Sequence, residues 1–286
     1  MYFSPVKDTD SLRIATLRGP SAVGMAPMMD GAAGFADAVV DVFDEPQRLL
    51  AEMSAGNVDF AVLPTSMTGI LQKKGLDYRL AAVMIWGGLY VCGADSGIGR
   101  LEDLKGRTVS VMAGGTPPEL MLRHLLRKAG MKPGADVLFD CSSAGHRSLA
   151  EAAQEGGTQL CILSEPFLSL ALEKNRRLNV LIDLGQQWRK AEGTPPPVTA
   201  FFCRGSLADG RPDVADAVVS ALDRSCEWVK AHPADAARIV VERGLFSSAA
   251  AVQASVPRSG FNLVRAADCA DAALEYAKII NNYSIQ

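Results

Sequence analysis

Five short stretches of this sequence place small hydroxyl, glycine and proline residues where an apolar run stops and a helical pattern starts. They are Arg18-Gly19-Pro20-Ser21, Pro64-Thr65-Ser66, Gly114-Gly115-Thr116-Pro117, Cys141-Ser142-Ser143-Ala144-Gly145 and Ser164-Glu165-Pro166. A strand that ends in such a corner and opens a helix aims free backbone N–H groups, a hydroxyl and the positive end of a helix dipole in one direction. That chemistry holds a small anion or polar ligand without any reactive side chain. Each helix terminus contributes about 0.3–1 kcal/mol at an exposed site, so several must converge to bind well. Any single corner is equally well explained as a cap or a turn. Five of them, two in one part of the strand pattern and three in another, are what a crevice between two units would collect.

The side chains beside these corners leave alternatives open. Arg18 has the right chemistry to pair with a sulfonate, carboxylate or phosphate, and equally suits a surface position. Trp86, just before Gly87-Gly88, could stack on a planar ligand or pack in the core near a flexible joint. Glu165 at a helix start is stabilised by the dipole alone, yet in a crevice it would accept an amine or ring N–H. His146 could supply a donor opposite it or sit solvated in a loop. The candidate ligand-binding set is therefore Arg18, Gly19, Pro20, Ser21, Thr65, Ser66, Trp86, Gly115, Thr116, Pro117, Ser142, Ser143 and Glu165.

No catalytic or metal residue is assigned, and no cofactor is expected. GxSxG, HExxH, P-loop and dinucleotide fingerprints are all missing, and the histidines at 124, 146 and 232 are scattered. The six cysteines show no CxxC or Cys/His spacing. Four of them fall in or beside strand-like runs, "LYVCG", "VLFDC", "QLCIL" and "AFFCR", where a thiol behaves as a small hydrophobe. In an oxidising compartment, Cys92 with Cys203 is the first disulfide to consider.

The elements that must hold the corners follow from periodicity. Short apolar strands alternate with helical segments, the pattern of α/β sheets. Strands are predicted at 12–17, 38–43 and 58–63, with a helix near 22–30 and another at 66–74. The segment "DEPQRLLAEMSAG" adds a helix with Asp44 as N-cap, Pro46 in its first turn and Gly56 as its stop. "RLAAVMIWGGLYVCG" supplies two strands across Gly87-Gly88. A second series predicts strands at 107–112, 136–141, 158–163 and 178–183, with helices at 117–129, 147–155 and 166–175. The helix at 117 is the firmest, because Thr116 and Glu119 spell a capping box and Pro117 fits the first helical position. After the Pro-stiffened "GTPPPVTAFFCRG", which enters an apolar strand, only helices are expected.

Terminal helices need a sheet to cover, and the simplest packing returns them to the first series. The expected architecture is α/β with two lobes, each a sheet flanked by helices, joined by a two-strand hinge near 90–94 and 198–203. Lobe I comprises 1–93 plus 199–286, and lobe II is the insertion 94–198. Length supports two units: 286 residues exceed one ordinary core. With 48% hydrophobic and 21% charged residues the chain is globular, and a net charge of −3 without basic runs argues against nucleic acid. No apolar run reaches the ~18 residues of a membrane span. "MYFSPVKDTDSLRIA" has no apolar h-region, so no signal peptide is read there and the compartment stays open.

Along most of its length the chain resembles the substrate-binding proteins of ABC importers of the nitrate/sulfonate/taurine type, which have the type II periplasmic binding protein fold. The likeness is carried by "RIATLRGPSAVGM", "GNVDFAVLPTSM", "LEDLKGRTVSVMAGGTPPELMLRHLLRKAGM", "LCILSEPF" and "DLGQQW". The resemblance implies a monomeric, periplasmic or extracellular receptor that closes on a small polar organic or anionic ligand and delivers it to a membrane permease. It implies contacts at Ser21, Thr65, Ser66, Trp86, Gly115, Thr116, Ser142 and Glu165. Two other readings remain: an enzyme of the same fold, such as a menaquinone-pathway dehydratase, or a ligand-sensing module. The cysteine-rich CCCFC motif of the thiamin-pyrimidine synthase of this fold is missing.

Overall fold

The computed structural model of the protein describes residues 11–31 and 38–283. β1 (Leu12–Leu17) stops at Arg18-Gly19, and Pro20 opens α1 (Pro20–Gly24), followed by α2 (Ala26–Met29). One helix was expected there; Met25, at φ −100° and ψ 7°, leaves helical geometry and divides it. After β2 (Ala38–Phe43), α3 (Pro46–Ser54) starts behind Glu45, not Asp44, because the Asp44 carboxylate is engaged by Arg18. β3 (Phe60–Pro64) runs into a 3₁₀ turn at Thr65–Met67 and then α4 (Thr68–Lys73). β4 (Tyr78–Trp86) and β5 (Leu89–Gly93) flank Gly87-Gly88.

The second series is β6 (Thr108–Met112), α5 (Pro117–Lys128), β7 (Leu138–Ser143), α6 (His146–Gln154), β8 (Leu160–Ser164), α7 (Phe167–Lys174) and β9 (Asn179–Asp183). Asp183 then caps α8 (Leu184–Glu192), its side chain accepting from the Gln186 N–H. β10 (Pro197–Arg204) returns the chain, followed by α9 (Gly205–Gly210), α10 (Pro212–Ala231), α11 (Pro233–Glu242) and α12 (Ala249–Ser255). β11 (Phe261–Arg265) and α13 (Ala266–Tyr283) complete it. The expectation of helices alone after 203 is corrected by β11. Its five residues become a strand only because β4 offers an antiparallel edge, which a local pattern does not reveal.

Two mixed sheets result, in the orders β11-β4-β10-β3-β1-β2 and β7-β6-β8-β5-β9. β1, β2 and β3 run parallel, whereas β10 is antiparallel to both β3 and β4; in the second sheet β5 is antiparallel to β8 and β9. The change of sheet therefore falls at Gly87-Gly88, ahead of the expected boundary at 93, and the return falls before Pro197. The first sheet buries Phe60 against Phe201 with stacked rings 5.2 Å apart, under α2 and α10. The second lobe centres on Trp188, which meets His124 at 5.0 Å and Tyr276 at 5.1 Å. Tyr276 and Ile280 belong to α13, so the last helix leaves the first lobe and packs into the core of the second. Asn281 on that helix donates through Nδ2 to the Ser66 carbonyl at 3.0 Å.

The joint between the lobes is built from backbone. Trp86 N–H donates to the Gly260 carbonyl at 2.9 Å and Gly87 N–H to the Pro196 carbonyl at 3.0 Å. Gly87, Gly88 and Gly260 have φ of +85°, +77° and +70°, the left-handed region that only glycine enters cheaply. A Cβ on Gly260 would lie 2.4 Å from the Trp86 carbonyl oxygen. The chain crosses between the sheets at Gly87-Gly88 and again before Pro197, and the backbone at Gly260 of the first lobe packs against the first crossing.

Gly56 offers a control: its φ is +78° but a Cβ there meets nothing within 4 Å. Gly56→Ala should cost about 1 kcal/mol, the left-handed penalty alone, and Gly260→Ala about 3 kcal/mol or more, since the backbone must also shift. Denaturant unfolding of both variants checks this; equal losses would show that the Trp86 contact constrains nothing.

Candidate ligand-binding cleft

Between the two sheets, at the carboxyl ends of β1, β3 and β6, lies a cleft of about 930 Å³. That is the size of pocket that encloses an organic molecule rather than a bare ion. Arg18, Gly19, Pro20, Ser21, Ser66, Gly115, Thr116 and Pro117 all line it, so corners from both lobes converge as the sequence suggests. The fourth corner contributes through Ala144 and Gly145, with Ser142 and Ser143 lying outside the lining. Thr65 is fully buried just behind Ser66, its hydroxyl without a partner. Trp86 lies at the joint, lining a separate pocket of about 200 Å³ with Gly87, Gly88 and Arg258.

The corner hydroxyls are largely committed within the protein. Ser21 Oγ accepts from Thr16 at 2.9 Å and donates to the Leu17 carbonyl at 3.3 Å. Thr116 Oγ1 donates to the Met112 and Ala113 carbonyls at 2.8 and 3.0 Å. The expected capping box takes a different form. Glu119 accepts from the Gly115 N–H at 2.6 Å and binds Arg123 at 2.5 Å, while Thr116 turns back toward β6. Pro117 and Pro118 carry no N–H, so the start of α5 has few donors left for an anion. Ala113 holds φ at +34°, a conformation that costs a non-glycine residue about 1 kcal/mol, at the point where β6 turns into the cleft.

Arg18 lines the cleft and is paired within the protein. Its side chain is 15% exposed, binds Asp44 at 2.5 Å and donates to the Leu245 carbonyl at 2.6 Å, tying β1 to β2 and to the turn after α11. The Arg18 guanidinium holds the Asp44 carboxyl below the usual carboxylate range. Arg147 on α6 approaches Asp44 from the other lobe at 4.0 Å, with both side chains about 60% exposed. Such a pair contributes at most a few tenths of a kcal/mol and forms or breaks at little cost.

Glu165 does not line the cleft. Fully buried, it binds Arg258 at 2.6 Å and accepts from the Ser169 N–H at 3.0 Å. Arg258 also donates to Ser169 Oγ at 2.8 Å, and its carbonyl accepts from Tyr90 Oη at 2.9 Å. Arg258 follows α12 in the first lobe, so this ion pair is a strut across the joint.

His146 opens α6 and lines the cleft, stacked parallel on Phe167 at 5.6 Å. Its Nδ1 is enclosed without a partner, and burial pushes the imidazole down to about 4, so it is neutral at physiological pH. Phe167, Met67, Ile70, Met112, Ile280 and Asn281 complete much of the wall and were not signalled by the corners. The apolar residues read as ordinary core, and α13 reaches the cleft only through tertiary packing. Among the described residues no group of His, Cys, Asp and Glu is placed to hold a metal ion, and no helix is long and apolar enough to cross a membrane.

Burial pushes the Glu165 carboxyl up, against the downward pull of Arg258. A folded-state pKa above the unfolded one means stability is greatest at low pH and is lost as pH rises through the folded value. Arg258→Met removes the opposing charge, so it should cost about 2–3 kcal/mol at pH near 8, less than a fully buried pair because Arg258 is one-third exposed. The cost should shrink toward pH ~5 as Glu165 takes up a proton. Urea unfolding at the two pH values measures it, and a pH-independent cost would remove Glu165 as the cause.

A family model described as ABC transporter, phosphonate, periplasmic substrate-binding protein matches residues 35–221. No curated protein matches the chain. Among solved structures, an ABC transporter from Parabacteroides distasonis has 25% identity and a TM-score of 0.81, covering 96% of this chain and 93% of its own. The periplasmic aliphatic sulphonate binding protein of Escherichia coli has 18% identity and a TM-score of 0.76, over 97% and 89%. The periplasmic nitrate-binding protein of Synechocystis has 14% identity and a TM-score of 0.66, over 89% and 73%. The last two likenesses show the shared fold, and the family match, spanning more than half of the chain, shows that it belongs to the periplasmic substrate-binding proteins of the phosphonate type of ABC transporter.

Proposed function

We propose that this protein is an extracytoplasmic receptor that encloses an organic ligand with an apolar body and hands it unchanged to an ABC permease. The observation that carries this is the composition of the cleft wall. Leu17, Met67, Ile70, Met112, Phe167 and Ile280 face a volume of about 930 Å³, and apolar residues outnumber the polar and charged ones in its lining. Each methylene withdrawn from water there contributes about 0.8 kcal/mol.

Charge supports an organic ligand over a bare anion. Arg18 and Arg147 line the cleft against Asp44, Glu45 and Glu151, two cationic groups against three anionic ones, and His146 is neutral. A multiply charged anion would meet no net positive field, whereas a neutral or singly charged head can use the N–H groups at the start of α6. The same features disfavour catalysis: the one histidine in the wall is stacked and, with its pKa pushed down to about 4, a weak base, and the hydroxyls of Ser21 and Thr116 already donate to the backbone.

Receptor action then follows from the joint. The glycine segments allow the two lobes to rotate, the Glu165–Arg258 strut holds them near the axis, and the weak Asp44–Arg147 contact at the mouth yields readily. The first lobe is discontinuous, and the chain works as a monomer.

Ile70 is 40% exposed and lines the cleft, so its replacement tests binding without disturbing the fold. A thermal-shift panel should show stabilisation by organic acids and amides with aliphatic or aromatic bodies, and none by nitrate, sulfate or phosphate. Ile70→Asp should weaken binding about fifteenfold, the ~1.6 kcal/mol of two methylenes, with the melting temperature of the free protein unchanged. Stabilisation by inorganic anions alone would overturn the reading.

A further inference from the structure

Cys92 on β5 and Cys161 on β8 are directly opposed across an antiparallel pair, with both side chains fully buried and their sulfurs 3.4 Å apart. We propose that these two residues form a disulfide that staples the strand leaving the joint to the strand leading to the strut. Cys203, the partner expected for Cys92, lies on β10 in the other sheet, paired with Phe60 and Arg79.

Geometry and compartment both favour the bond. Opposed residues of antiparallel strands have Cα atoms about 4.5–5.5 Å apart, inside the range a disulfide spans. The thiols already share a hydrogen bond, with a sulfur separation of 3.4 Å to close to the roughly 2.05 Å of a disulfide. The hydrogen bond couples the two thiols, lowering Cys161 and raising Cys92. In a periplasmic setting such pairs oxidise and persist. The oxidant is a disulfide, carried by a thiol oxidoreductase or by oxidised glutathione. During folding the thiolate of one cysteine of the pair attacks one oxidant sulfur and expels the other as a thiolate. The thiolate of the second cysteine then attacks the Sγ of the first, closing the Cys92–Cys161 bond and expelling the second oxidant thiolate. The two protein protons and the two electrons leave with the oxidant, now two thiols. The partners lie 69 positions apart in sequence, so the bond closes a long loop of the unfolded chain.

The proposal rests on the extracytoplasmic reading for its natural oxidant, but its test supplies the oxidant, so disulfide formation and ligand retention fail separately. The reduced, unfolded full chain is refolded with oxidised and reduced glutathione, alkylated in denaturant, weighed and digested. The expected result is four alkylated thiols of the six, a mass lower by two hydrogens before alkylation, and one linked peptide pair containing Cys92 and Cys161. A phosphine reductant should then lower the melting temperature by about 5–10 °C. That shift should vanish in Cys161→Ala, and if this variant does not fold the peptide map alone decides. Six free thiols, or a bond to any other cysteine, would overturn the proposal.

Discussion

Backbone contact at Gly87, Gly88 and Gly260 is the constraint on which the two-lobed shape depends. A Cβ on Gly260 would lie 2.4 Å from the Trp86 carbonyl oxygen and one on Gly88 3.2 Å from the Ser259 carbonyl oxygen, and the positive φ of Gly87 and Gly88 lets the chain turn there from one sheet toward the other. Because the joint is made of main chain, it fixes where the lobes meet without filling the space in front of it. The cleft is that space. The lobes are also kept in register by side chains, with the buried Glu165–Arg258 pair close to the axis and α13 running from the first core into the second.

Electrostatics in this molecule are mostly structural. Arg18 and Glu165, the two charged residues that the corners singled out, both end in ion pairs with other parts of the protein. Burying Glu165 without Arg258 would cost several kcal/mol, which accounts for the extra donors from Ser169. With those groups paired inside the protein, the proposed preference for the body of the ligand over its charge rests on the apolar part of the cleft wall.

Much of this was legible in the sequence, for physical reasons that differ by element. The strand-corner-helix units at 17–21, 63–66 and 112–117 depend on local chemistry, the fixed φ of proline and the freedom of glycine, and they fall where expected. Asp44 as a cap was not recoverable, because its carboxylate has a stronger partner in Arg18 on a neighbouring strand. β11 needed the edge of β4, and Asn281 needed α13 to cross between lobes; both depend on tertiary packing. Glu165 illustrates the limit most clearly: a carboxylate at a corner reads the same whether it faces a ligand or an arginine 93 positions away.

The most direct test of the central claim is native mass spectrometry of the purified full chain, followed by denaturing release and identification of whatever it carries. The account expects one organic molecule per chain, with an apolar body and at most one charge, recovered chemically unchanged after prolonged incubation. A bare inorganic anion as the retained species, or a bound compound that is converted to another during incubation, would contradict it.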